Sequence, residues 1–202
     1  MTQIASPSSA LVRKIALIVS HVLSPIILAT LLLLLTPLRD ASIAWSEAVL
    51  AAVFTTIIPW LILALAKRRG AVTDMHVTVR HQRHLIYAMT ATMIIIGLII
   101  LWLVNASAGI FREVFCILLG LFTVAIINIW WKVSVHLAVG TYVILLLASQ
   151  RADLLPAVLL FIAVLSWSRL RSFQHTATQV CGGVAVGILI HYAHEVMALF
   201  VN

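Results

Sequence analysis

The chain has 202 residues, 63% of them hydrophobic and 9% charged, with 13 Lys and Arg against 6 Asp and Glu and a formal charge of +7. A soluble domain carries charge on about a quarter of its residues, so the solvent this composition fits is lipid. The positive balance points to an anionic partner, either lipid headgroups or a phosphorylated substrate, and so little polar surface argues against nucleic acid.

In chain order, the apolar run 15–35 comes first. It is too long for the apolar region of a signal peptide and lacks a small-residue cleavage site, so it reads as a first membrane span. About 20 apolar residues cross a hydrocarbon core of roughly 30 Å. Seven segments qualify or come close: 15–37, 43–66, 85–104, 114–131, 134–149, 154–167 and 176–201. The expected fold is all-α, a polytopic membrane helix bundle of about seven spans with six still compatible, forming one domain over 1–202. The fifth and sixth segments are short, as for helices sheltered by neighbours. Pro25 and Pro59 fall inside spans and predict kinks. Trp45, Trp102, Trp130, Trp131 and Trp167 fall near span ends, like an interfacial aromatic belt. Cys116 and Cys181 lie toward opposite ends of their helices and are expected as free thiols.

Alternating the spans gathers ten of the 13 Lys and Arg on one side, with the N-terminus, the loop 67–84, Lys132 and the stretch 169–171. Arg39, Arg112 and Arg151 fall on the other. Setting aside Arg80, Arg83, Lys132 and Arg169 as site residues leaves six against three. The positive-inside rule then puts the first side in the cytoplasm, and the expected location is the cell inner membrane.

Three separated stretches return to that side, each rich in His, Arg or Lys: Asp74 to His84 with Arg80 and Arg83, Lys132-Val-Ser134-Val-His136, and Ser168-Arg169 to His175 and Gln179. Ionisable groups at membrane depth are expensive, so a convergent set of them marks a functional site. Cations would spread the charge of phosphoryl oxygens, one histidine could attack phosphorus, and the other could protonate the departing oxygen.

Ser168-Arg169, five residues, then His175 resembles the third motif of the type 2 phosphatidic acid phosphatase superfamily, Ser-Arg, five residues, His, three residues, Asp. Lys132-Val-Ser134-Val-His136 is similar to its second motif, Pro-Ser-Gly-His, with Ser134 and His136 at matching positions. The resemblance covers the chain from Asp74 onward, about its C-terminal two thirds. The first motif, Lys, six residues, Arg-Pro, is represented only by Arg80 and Arg83, with His76 at the lysine spacing. Val135 stands where the second motif has glycine, and Gln179 where the third has aspartate.

The resemblance implies His175 as nucleophile through a phosphohistidine and His136 as general acid. Gln179 joins these two as the group that would orient His175. Arg169, Ser134, and Arg80 or Arg83 or both would hold the phosphoryl oxygens, with Lys132 an added cation. It also implies chemistry without a metal or other cofactor. The substrate expected is a phosphomonoester or diphosphate on a phospholipid or polyprenyl lipid. The alternative is a non-catalytic membrane protein that binds or transports an anion with the same cations. His76, His81 and His84, or His191, His194 and Glu195, are weaker metal-site candidates, the second group lying toward the opposite membrane face.

Overall fold

Prolines and capping residues decide where this chain bends. The computed structural model describes residues 7–71, 82–149 and 151–200; those residues are helical almost throughout, with no strand among them. α1 (Pro7–Val22) and α2 (Pro25–Arg39) share one apolar run, yet Ser24 between them is extended and its hydroxyl accepts the Ile27 N–H (3.5 Å). Pro25 sits in the first turn of α2, where a missing N–H costs nothing. The kink expected at Pro25 is therefore a full break: α1 packs on α8 (Leu155–Arg171), whereas α2 packs on α3 (Trp45–Ala52) and α7 (Val135–Ala148).

At Pro59 the helix continues without a break. A π turn over Val53–Ile57 joins α3 to α4 (Ile58–Arg68), so the proline's missing N–H falls where the hydrogen-bond ladder is already shifted. α5 (Gln82–Leu103), α6 (Ala108–Trp130), a 3-10 turn at Ala152–Leu154 and α9 (Ala177–Ala198) complete the chain.

Six stretches are long and apolar enough to cross a membrane: Ala10–Arg39, Trp45–Arg68, His84–Leu103, Ala108–Trp130, Ala152–Arg171 and Ala177–Ala198. The fifth expected span, α7, has 14 residues. At 1.5 Å per residue it covers about 21 Å, short of a hydrocarbon core. It is enclosed by α2, α6, α8 and α9, and its sequence is apolar on every face, as burial on all sides requires.

One end of the bundle carries the turns at 131–134 and 172–176 and is called here the histidine face. The other, the far face, carries the turns at 40–44 and 104–107 and the end of α9. The two largest apolar clusters lie between. One joins Leu28, Leu32, Val124, Tyr142 and Ile190; the other joins Leu33, Ile43, Ile94, Leu101 and Ile110. Trp45, Trp102, Trp130, Trp131 and Trp167 are exposed near helix ends, as an aromatic belt requires. Cys116 and Cys181 are free thiols.

Candidate active site

α7 and α9 meet so closely because α9 presents glycine to it. A Cβ on Gly183 would lie 2.5 Å from the Ser134 carbonyl oxygen, and one on Gly187 would lie 2.6 Å from that of Ala138. Small residues spaced by four on one helix face are what lets membrane helices approach to backbone contact. The approach draws the start of α7 against the start of α9. The Ser134 N–H donates to the Gln179 carbonyl (3.2 Å), and Lys132 Nζ donates to that of Gln174 (2.9 Å).

Two helix N-termini are thereby placed side by side, each the positive end of a helix dipole. Ser134 is the N-cap of α7, fully buried, but its hydroxyl makes no capping bond and has no hydrogen-bond partner among the described residues. Two residues on, His136 is buried.

The second start is built around Gln179. Thr176 caps α9 by accepting the Gln179 N–H (3.4 Å), and the Gln179 side-chain oxygen accepts the Thr176 N–H (3.2 Å), a reciprocal capping box. The same oxygen lies 3.1 Å from Nδ1 of His175, which is buried. A backbone N–H can only donate, so this atom is an acceptor and Nδ1 must carry the hydrogen. Neutral His175 then keeps its lone pair on Nε2.

Arg169 is 2% exposed near the end of α8, and its guanidinium donates to the hydroxyl of Ser20 on α1. Its carbonyl accepts the Gln174 N–H (3.3 Å) and the Ser172 hydroxyl (3.3 Å), which folds the turn back toward His175. Phe173 in that turn has φ 57°, the left-handed region that non-glycine residues enter at a cost of roughly 1–2 kcal/mol. The turn is held there by its bonds to Arg169.

Of the residues expected from the sequence, Lys132, Ser134, His136, Arg169, His175 and Gln179 thus belong to one cluster of contacting turns. Arg80 lies outside the described residues, with Asp74, His76 and His81. Arg83 falls in the first turn of α5, its side chain outside the description as well. Among the described residues no three His, Cys, Asp or Glu side chains gather as a metal site.

Sequence reading passed over Ser20, the Gln174 carbonyl, Gly183 and Gly187. The two glycines were legible as a small-residue pair four apart, but Ser20 and the carbonyl carried no local signal. The far face also holds a polar cavity of about 540 Å³. In it Glu113, 3% exposed, receives Arg39 (3.1 Å) and the Tyr142 hydroxyl (3.2 Å), with His194 Nε2 at 3.5 Å. At its rim the hydroxyl and N–H of Ser42 (2.6 and 2.9 Å) hold the Asp40 carboxyl below its ordinary value.

The fold and these two polar clusters define a polytopic helical membrane protein. No family model matches the chain, and neither a curated protein nor a solved structure matches it.

Proposed function

We propose that the protein is a lipid-phosphate phosphatase that works through a phosphohistidine. The observation that carries the reading is the pairing of His175 Nδ1 with Gln179 at 3.1 Å, in a turn that abuts Ser134 and the start of α7. It leaves Nε2 of His175 as the nucleophile, in a turn that adjoins the starts of α7 and α9 and is bonded through its backbone to the buried Arg169.

In the first step His175 Nε2 forms a bond to the terminal phosphorus while that phosphorus loses its bond to the leaving oxygen, the ester oxygen of a monoester or the bridging oxygen of a diphosphate. His136 gives a proton to that oxygen, releasing the lipid alcohol, or a lipid monophosphate when the substrate is a diphosphate. In the second step His136, now neutral, takes a proton from water as water attacks phosphorus, and the nitrogen–phosphorus bond breaks to yield inorganic phosphate. Arg169, Ser134 and Lys132 hold the phosphoryl oxygens, joined by Arg80 or Arg83 or both. The substrate is a phosphomonoester or diphosphate on a phospholipid or polyprenyl lipid, met at the cytoplasmic face of the inner membrane. Anionic lipids at that face would be held by the surrounding basic residues.

Release of inorganic phosphate from a panel of lipid phosphates by purified protein, and its loss in His175→Ala, tests the reading. No release from any member would overturn it.

A second reading is a non-catalytic protein that binds or transports an anion with the cations of the histidine face, the polar far-face cavity being its opening on the other side. A buried Glu113 held by Arg39 and close to His194 gives the opposite membrane face a polar site of its own. Uptake of phosphate or a lipid phosphate into vesicles bearing the protein, without hydrolysis, would select it.

A further inference from the structure

Between the two polar clusters lies a cavity of about 210 Å³, lined almost wholly by carbon from α2, the π turn, α4, α5, α6, α7 and α9. One end is formed by Pro25 and Val135, the residues that open α2 and α7, and Val135 directly precedes His136. The other end is formed by Cys116, Tyr142 and Ile190. Along α7 the two ends are seven residues apart, or about 10 Å at helical rise.

We propose that this cavity receives one hydrocarbon tail of the substrate lipid and that Tyr142 is its floor, setting the tail length accepted. The proposal rests on the lipid-phosphate reading above. A void lined by carbon offers water few partners, and close-packed interiors do not keep such a space empty without cost. An apolar cavity of about 150 Å³ takes one small hydrocarbon such as benzene, so this one suits a single chain and not two. Trp60 lines it and is 44% exposed, so one wall of the cavity reaches the outer surface of the bundle.

The floor is fixed by charge. Tyr142 is 3% exposed, and its hydroxyl donates to Glu113 Oε2 while Arg39 holds Oε1. A tail pushed past the ring would enter an ion-paired polar site and strip it of its partners, so hydrocarbon stops there. A phosphate over the start of α7 and a tail ending at Tyr142 would use the two halves of one helix.

The test uses n-alkanols of graded length as phosphate-free probes and the matching n-alkyl phosphates. The readout is the melting temperature of purified protein in a detergent without an alkyl chain. Stabilisation is expected to rise with chain length and then level off. Gly120 lines the cavity, and a Cβ there meets Ile190 at an ordinary 3.6 Å, so Gly120→Leu fills space without a backbone clash. It should move the levelling point to shorter chains, and Tyr142→Ala should move it to longer ones. Should Tyr142→Ala not fold, Ile190→Ala widens the same end and leaves Glu113 its partners. A levelling point common to wild type and these variants, or no stabilisation by any alkanol, overturns the proposal. Phosphate release from the alkyl phosphates, read in parallel, separates the two ideas. Shifted levelling without release sinks hydrolysis and keeps the cavity, while release without shifted levelling does the reverse.

Discussion

The side-chain oxygen of Gln179 accepts two hydrogen bonds at once, from Nδ1 of His175 and from the backbone N–H of Thr176. One amide thus ends the turn, starts α9 and sets the tautomer of the histidine. Gln179→Leu should lose both bonds and leave a buried Nδ1–H without an acceptor, a cost of about 1–3 kcal/mol or roughly a 5- to 150-fold fall in kcat. Gln179→Glu can accept the same two bonds and adds a negative charge. It should restore turnover and move the acidic limb of the kcat pH profile upward, because a carboxylate beside His175 favours its protonated form. A variant pair that alters only melting temperature would reduce Gln179 to a helix cap.

His175→Ala should abolish turnover without unfolding the protein, and His136→Ala should slow it by on the order of 10²–10⁴-fold. Because a nucleophile and its acid act as a unit, the double variant should cost little more than either change alone. Wild-type activity should survive a chelator and be inhibited by vanadate, which mimics pentacoordinate phosphorus. Full activity in His175→Ala protein would sink the mechanism.

Gly183→Ala places a methyl 2.5 Å from the Ser134 carbonyl oxygen, a backbone atom that cannot turn aside. The start of α7 must move, at about 1–3 kcal/mol for an overpacked contact. Both melting temperature and turnover should fall, since Ser134 and His136 move with that helix start. Gly120→Ala, whose methyl meets Ile190 at an ordinary 3.6 Å, is the packing control and should leave the melting temperature nearly unchanged.

Glu113→Ala removes the carboxylate that Arg39 and Tyr142 share at the far face. Breaking a buried ion pair from one side costs about 3–5 kcal/mol, toward the lower figure here because Arg39 is 28% exposed. The loss should appear as a lowered melting temperature in detergent. An unchanged melting temperature would mean that water already solvates this cluster.

α9 starts beside Ser134 and runs away from it to the far face. A topology reporter fused after Asn202 should therefore lie across the membrane from a label at Lys132, with Lys132 on the cytoplasmic side. Reporter and label on the same side would overturn the arrangement.

The sequence by itself determined the membrane class, most of the helices and the residue types of the site. Each of these follows from composition, from runs of apolar residues or from charges too costly to place in lipid without purpose. It also placed Gln179 one turn past His175, because spacing along a helix is local geometry. Tertiary structure alone decided that Pro25 breaks the helix instead of bending it, since whether α1 continues α2 depends on the surface of α8 that it finds. It decided that the turns before α7 and α9 touch, through Gly183 and Gly187, and that Arg169 reaches Ser20, a residue 149 positions away. A short α7 can cross the bundle's middle only because its neighbours enclose it. Contacts of this kind join residues distant in the chain, and no local pattern specifies which helix faces will meet.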